Sequence, residues 1–110
     1  SSCDNLFSDE IKYDQASADK FLKEAILSPL KDVVDALKRS EWNQESISEA
    51  LKSVCEKHEI GFGKIGQPIR IAVTGGTQSP SIDQTLILLD QSIVVDRIVA
   101  AIEYIEENSN

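Results

Sequence analysis

Hydrophobic side chains recur at helical spacing along most of this chain. From Gln15 onward they fall every three or four residues, at Ala18, Phe21, Leu22, Ala25 and Ile26. A second stripe follows in "SPLKDVVDALKRS", at Leu30, Val33, Val34 and Leu37. There Ser28 suits an N-cap and Pro29 suits the first helical position. The pattern therefore predicts two helices in the first forty residues.

A third helix is predicted in "EWNQESISEALKSVCEKHE", lined by Ile47, Ala50, Leu51, Val54 and Cys55. Asn43 is its expected N-cap, and Gly61 is expected to end it. Lys57 and His58 fall in its last turn, where positive charge suits the helix dipole. This places His58 at an exposed helix end without an evident partner, which makes it a poor general base.

The segment "PIRIAV", residues 68–73, fits two kinds of secondary structure. Its β-branched residues alternate as in a strand, whereas Pro68 suits a helix start and Gly75–Gly76 suits a helix end. No second segment shows a clear strand pattern, and a single strand has nothing to pair with. We therefore predict a short helix.

Two further helices complete the predicted fold. "SPSIDQTLILLD" places Ser79 at an N-cap and Pro80 at the first helical position, with Ile82, Thr85, Leu86 and Leu89 facing inward. Asp90 or Ser92 can cap the last helix, lined by Val94, Val95, Ile98, Ala101, Ile102 and Ile105. The prediction is an all-α compact bundle or cage of about six helices over residues 15–110. Residues 1–14 are predicted to connect it to a preceding domain.

Composition and charge narrow the function. The chain has 110 residues, 41% hydrophobic and 27% charged, as expected of one globular domain. No apolar run could span a bilayer and no signal peptide is evident, so we expect a cytoplasmic location. A net charge of −8 argues against nonspecific binding to a phosphate backbone. The exception is residues 61–85, which carry two basic side chains, Lys64 and Arg70, and one acidic side chain.

The sequence offers little for metal binding or catalysis. Cys3, Cys55 and His58 cannot form a convincing zinc site, and two separated cysteines are not a disulfide framework. "GFGKIG" lacks the lysine–hydroxyl ending of a phosphate-binding loop, and no predicted strand precedes it. We expect neither a metal site nor catalysis by these residues alone.

Arg70 and Trp42 are two side chains that could serve either recognition or packing. Arg70 lies among apolar neighbours. Their packing could fix its guanidinium so that two N–H groups donate together to a base edge or a phosphate. It could equally form a structural salt bridge with a nearby acid. Trp42, just before the third helix, is predicted to pack back over that helix as a hydrophobic staple rather than to bind a ligand.

Hydroxyl and amide groups cluster after the "PIRIAV" segment, at Thr74, Thr77, Gln78, Ser79 and Ser81. Together with the neighbouring glycines, they could present hydrogen-bond donors to an oxygen-bearing ligand. They could also simply cap the two adjoining helix ends.

These residues resemble a known family. "GFGKIGQPIRIAVTG" followed by "QSPSIDQTLILL" closely resembles the C-terminal anticodon-binding domain of bacterial glutamyl-tRNA synthetase. The shared positions are Gly63, Lys64, Gln67, Pro68, Arg70, Ala72, Thr74 and Gly75, continuing through Ser79, Pro80, Ile82, Leu86 and Leu89. The likeness extends over about residues 13–105 and includes "RIVAAIEYI" at residues 97–105. Asp90 departs from the pattern, which more often has glycine there.

The resemblance implies a helical cage that reads the second and third anticodon bases of tRNA(Glu). It implies contacts from Arg70, Thr77, Gln78, Ser79 and Ile82, with Lys64 on the same motif. The parent enzyme would attach glutamate to tRNA as a monomer, using ATP and Mg²⁺ in a separate catalytic domain. No cofactor is expected in this chain. The alternative is a helical protein–protein interaction domain, which the acidic net charge favours.

Overall fold

Six α-helices make up the fold of the residues that the structure describes. The structure, a computed structural model, describes residues 13, 15–76 and 81–108. The helices are α1 (Gln15–Phe21), α2 (Leu27–Arg39), α3 (Gln44–His58), α4 (Phe62–Thr74), α5 (Ile82–Ile87) and α6 (Gln91–Asn108). A 3₁₀ turn at Glu24–Ile26 joins α1 to α2, and no strand occurs within the described ranges. The predicted all-α bundle of about six helices is confirmed.

The first two helices differ from their predicted bounds. The apolar stripe from Gln15 does not continue as one helix, because the chain bends after Phe21 and then forms the 3₁₀ turn. That turn runs directly into α2, whose N-cap is Ile26 rather than Ser28. Pro29 is therefore the third helical residue. It is tolerated there because the first four N–H groups of a helix have no partner within it.

The third helix begins as predicted and ends differently. The Asn43 side chain caps α3 by accepting a hydrogen bond from the Ser46 N–H, at 2.8 Å. The helix ends before Glu59, which takes the left-handed conformation with φ 55°, whereas Gly61 is extended and is the N-cap of α4. The prediction that Gly61 ends α3 was wrong, because a non-glycine residue makes the turn two positions earlier.

Helix α4 is the central element of the fold. It contacts each of the other five helices, and seven of its residues are buried: Ile65, Gly66, Pro68, Ile69, Ile71, Ala72 and Val73. The predicted helix over "PIRIAV" is confirmed, but it begins six residues before Pro68. Pro68 cannot donate to the Lys64 carbonyl in the exposed first turn of α4. Burial on most sides of the helix offsets that loss.

The start of α5 also differs from its prediction. The helix begins at Ile82 with Ser81 at its N-cap, not at Pro80. Ser79 and Pro80 lie outside the described residues. The last helix begins directly after Asp90, whose carbonyl accepts from the Val94 N–H at 3.0 Å. All six apolar positions predicted to line α6 are buried.

Side chains from distant parts of the chain lock the helices together. The Trp42 indole N–H donates to the Leu89 carbonyl at 2.7 Å, and the ring packs half-buried against the core. The Gln91 amide donates to the Leu37 carbonyl at 2.6 Å and to the Ser40 carbonyl at 3.1 Å, at the end of α2. Trp42 therefore packs against the core, as predicted, whereas its predicted packing over α3 stays a prediction.

His58 is neither exposed nor alone, contrary to the sequence prediction. Its side chain is 19% exposed, and its Nε2 atom lies 2.5 Å from Asp32 Oδ2 on α2. Lys57 Nζ lies 3.3 Å from the same oxygen. The hydrogen bond with His58, and to a lesser degree Lys57, holds the pKa of Asp32 below its ordinary value. The cluster joins α2 to α3.

Candidate nucleic-acid interface

Among the helices of the described chain, α4 alone carries no acidic residue. Its sequence, FGKIGQPIRIAVT, has two charged side chains, and both are basic. Lys64 is exposed in the first turn, and Arg70 is half-buried about 9 Å further along the helix axis. Burial explains the lack of acids, because an ionised side chain in a central helix is costly to desolvate. The same desolvation cost applies to Arg70, so a half-buried charged side chain is unusual in this helix.

The Arg70 side chain lies back along α4 over Gly66. Its Nη1 atom is 3.9 Å from the position that a Cβ atom on residue 66 would occupy. The residues on either side of Arg70, Ile69 and Ile71, are fully buried, as the sequence predicted. The guanidinium thus lies over the backbone of α4, on a segment whose neighbouring side chains are buried in the core.

Gln67 lies beside Arg70 on the same face of α4, one turn earlier, and the sequence analysis gave it no role of its own. Its Oε1 atom is buried and has no hydrogen-bond partner among the described residues. A buried acceptor without a partner is uncommon in folded proteins. A donor, Arg70, and a buried acceptor, Gln67, thus lie one turn apart on α4.

The end of α4 is tied down by several hydrogen bonds. Gly75 takes the left-handed conformation, φ 90°, and its N–H donates to the Ile71 carbonyl at 2.8 Å. The Thr74 hydroxyl lies 2.7 Å from the Arg70 carbonyl and 3.1 Å from that of Gly76. Arg97 of α6 donates from Nη1 to the Val73 carbonyl at 2.9 Å. The chain therefore leaves α4 in a fixed direction, about 6 Å beyond Arg70.

The other predicted site residues are placed differently. Thr77, Gln78 and Ser79 lie outside the described residues, so their role stays a prediction. Ile82, the first residue of α5, is 1% exposed and packs in the core. In this structure its side chain offers no surface to a base. Ser81, which precedes it, is exposed.

The electrostatics at the start of α5 do not favour phosphate binding. Hydrogen bonding with Ser81, and to a lesser degree with Gln44, keeps the pKa of Asp83 below its ordinary value. Gln44 Nε2 lies 3.1 Å from the Asp83 carboxylate. An ionised carboxylate here repels phosphate groups. The surface at the start of α5 thus suits uncharged base edges better than a nucleic-acid backbone.

The described part of the chain shows no metal or membrane-spanning element. No three His, Cys, Asp or Glu side chains in those ranges come together to hold a metal ion. None of the helices there is long and apolar enough to cross a bilayer. Cys55 is 6% exposed, and burial raises the pKa of its thiol. Cys55 is therefore a buried core residue rather than a nucleophile.

Comparison with protein families decides the assignment. The family model described as an anticodon binding domain matches residues 1–102. The chain belongs to the anticodon binding domain family. The match covers α1 to α5 and most of α6, and so includes the acid-free helix and the segment that follows it.

The anticodon binding domain also has a counterpart of known structure. It is similar to the crystal structure of a glutamate tRNA ligase from Elizabethkingia meningosepticum, in complex with its amino acid, with a TM-score of 0.82 and 19% identity. The similarity covers 94% of this chain and 21% of that chain. At this identity the match establishes a shared fold. The chain spans about one fifth of the length of the ligase that it matches.

Proposed function

We propose that this domain reads the anticodon of tRNA(Glu) as part of a glutamate–tRNA ligase. The observation that supports this most is the placement of Arg70, half-buried on the central acid-free helix, one turn before the segment 75–81. Family membership supports anticodon binding in general. The fold match to a glutamate tRNA ligase and the quoted motif support glutamate as the amino acid.

The proposed mechanism is recognition of base edges. Anticodon bases can be splayed out of their loop and read on their hydrogen-bonding edges, which needs few phosphate contacts. Arg70 supplies a planar donor, and Gln67 supplies a buried acceptor next to it. Thr77, Gln78 and Ser79 would contribute from the segment beyond Gly76, and Lys64 from the first turn of α4. Ile82 would contribute indirectly, by packing the first turn of α5 against the core, since it is buried.

The chemical step belongs to another part of the ligase. We propose that ATP and Mg²⁺ are used in a separate catalytic domain, and that this domain contributes affinity and anticodon specificity. We also propose that the ligase acts as a monomer in the cytoplasm. The alternative role, a protein-interaction domain, finds less support. The large apolar side chains exposed in the described ranges are Phe62 and Leu88, and isolated exposed apolar residues are common on soluble proteins.

A binding measurement on matched variants tests the proposal. The 110-residue chain is titrated with a fluorescent tRNA(Glu) anticodon stem–loop, and with loops whose second or third anticodon base is replaced. Arg70→Ala should weaken binding by about 1–3 kcal/mol, the usual value of one good base contact. Arg70→Lys should restore only part of it, because an ammonium group cannot reproduce the planar fork.

Arg39→Ala provides the control. It also removes one positive charge, from a side chain on α2 that is 78% exposed and paired with Asp35. Because this pair lies on the surface of α2, Arg39→Ala should leave binding unchanged. Thermal melting of each variant separates lost contacts from lost folding. Equal binding of all loops by the wild-type chain would refute base reading. A large fall in melting temperature for Arg70→Ala, with unchanged affinity of the folded protein, would instead assign Arg70 to a structural ion pair.

A further inference from the structure

We propose that Arg97 is a positioning residue for anticodon recognition. It holds the C-terminal end of α4, the helix that carries Arg70. The inference rests on the proposed function, since Arg70 on α4 is the proposed contact with the anticodon. Arg97 itself touches no proposed ligand contact and acts through the backbone of α4.

The geometry of one hydrogen bond carries the inference. Arg97 lies in the second turn of α6, and its Nη1 donates to the Val73 carbonyl at 2.9 Å. Val73 is the second-last residue of α4, so its carbonyl is one of the four at a helix end that lack a partner within the helix. A positive charge at this end also complements the helix dipole. Arg97 thus caps α4 from a neighbouring helix.

This cap lies close to Arg70 along the chain, which distinguishes it from packing contacts elsewhere in the core. The capped carbonyl lies three residues after Arg70 and four before Thr77. The Thr74 hydroxyl, one residue beyond the capped carbonyl, bonds to the Arg70 carbonyl. The Nε atom of Arg97 is buried and has no acceptor among the described residues, so the Val73 carbonyl is the contact that holds this guanidinium. Without it, the last turn of α4 keeps the hydrogen bonds of Gly75 and Thr74 but should fray more readily.

The same helix offers a matched control. Gln91, also on α6, donates its side-chain N–H to the Leu37 carbonyl at 2.6 Å, at the end of α2. It too caps a neighbouring helix from a distance in sequence. The end of α2 leads to Trp42 and α3, not to the proposed contacts. Gln91→Ala should therefore cost stability without affecting RNA binding.

The test compares affinity and stability in the 110-residue chain. Arg97→Met keeps the aliphatic stem and removes the donor, while Arg97→Lys keeps a donor and the charge. The dissociation constant for the tRNA(Glu) anticodon stem–loop is measured well below each variant's melting temperature. Amide chemical shifts of residues 73–76 are recorded without RNA. Arg97→Met should raise the dissociation constant about tenfold and shift those amides, and Arg97→Lys should recover part of both.

Each outcome decides a separate question. If the wild-type chain does not bind the stem–loop, the proposed function fails. If it binds, and Arg97→Met binds equally well or loses no more affinity than Gln91→Ala at matched loss of stability, the positioning role fails. A loss confined to the Arg97 variants, with shifts at residues 73–76, establishes the role.

Discussion

The guanidinium of Arg70 lies over Gly66, one turn earlier on α4. Its Nη1 atom lies 3.9 Å from where a Cβ on residue 66 would be, an ordinary van der Waals distance. A methyl group therefore fits beneath the guanidinium, whereas a longer side chain would have to share its space. Residue 66 thus controls where the proposed base-reading group sits.

Substitutions at Gly66 should separate stability from recognition. Gly66→Ala should stabilise the fold by roughly 0.5–1 kcal/mol, because alanine restricts the unfolded chain and suits a helix interior. It should leave the affinity for the anticodon stem–loop within about twofold. Gly66→Leu should displace the guanidinium and weaken binding about tenfold, close to the loss for Arg70→Ala. Urea unfolding and fluorescence anisotropy measure the two effects.

Gly63 supplies the control for this pair. It lies on the same helix, and nothing approaches within 4 Å of the position its Cβ would take. Gly63→Ala and Gly63→Leu should therefore leave binding unchanged. If the two leucine variants weakened binding equally, residue 66 would have no special relation to Arg70.

The salt dependence of RNA binding should be shallow. Two basic side chains, Lys64 and Arg70, lie on α4, and the chain as a whole carries a net charge of −8. Each phosphate neutralised on single-stranded nucleic acid contributes a slope of about −0.7 in a plot of log affinity against log salt. We expect a slope no steeper than about −1.4 for the anticodon stem–loop in potassium chloride. A slope several times steeper would show that phosphate contacts dominate.

Most of the fold could be predicted from the sequence because its signals are local. Apolar stripes at helical spacing identified five of the six helices, and Asn43 marked the start of α3 through its own side chain. The remaining helix, α4, was predicted from Pro68, from Gly75–Gly76 and from the lack of a strand partner. The wrong predictions concern helix ends, where contacts with neighbouring parts of the fold decide the boundary. Ser28 and Pro29 suggested a helix start, but the 3₁₀ turn before them already carried the chain into helical geometry. Pro68 suggested another, but contacts with five helices stabilise a longer α4 around it.

The candidate site was less predictable because it depends on contacts between distant residues. Arg70 was recognisable from its apolar neighbours and its motif. No local signal linked Arg97 to the Val73 carbonyl, 24 residues earlier in the chain. No local signal indicated the His58–Asp32 contact either, over 26 residues, so the prediction of an exposed His58 was wrong. Ile82 packs in the core, which its motif position did not indicate, and its role in recognition stays a prediction.

The Asp32 cluster should make the fold sensitive to acid. The folded-state pKa of Asp32 is lowered, so its stabilising effect is complete above the unfolded-state pKa of about 4 and is lost as the pH falls through the folded-state value. At pH 7, Asp32→Asn should lower the free energy of unfolding by about 1 kcal/mol, since the side chain is partly exposed. The difference from wild type should shrink in urea melts at pH 3.

Asp35→Asn is the matched control for Asp32→Asn. Asp35 pairs with Arg39 across an exposed surface, at 3.2 Å, on the same helix. Its loss should change stability by less than about 0.5 kcal/mol. If Asp35→Asn and Asp32→Asn cost the same at pH 7, the contacts of Asp32 with His58 and Lys57 contribute nothing specific.

Cys55 should react slowly with thiol reagents in the folded protein. It is 6% exposed and burial raises the pKa of its thiol, so both access and the thiolate fraction are reduced. In a Cys3→Ser variant, which isolates Cys55, native protein at pH 8 should react with Ellman's reagent at least about a hundredfold more slowly than protein in urea. Equal rates would show that α3 opens readily near Cys55.

Mapping the RNA-binding surface tests the central claim most directly. The ¹⁵N-labelled chain is titrated with the tRNA(Glu) anticodon stem–loop, and changes in amide and arginine side-chain signals are followed. The account predicts that the largest changes fall on residues 64–70 of α4 and on residues 75–82. It also predicts that the Arg70 side-chain signal shifts, and that a loop with altered second and third anticodon bases abolishes these changes. Changes centred instead on α2 and α3, or identical changes with the altered loop, would contradict it.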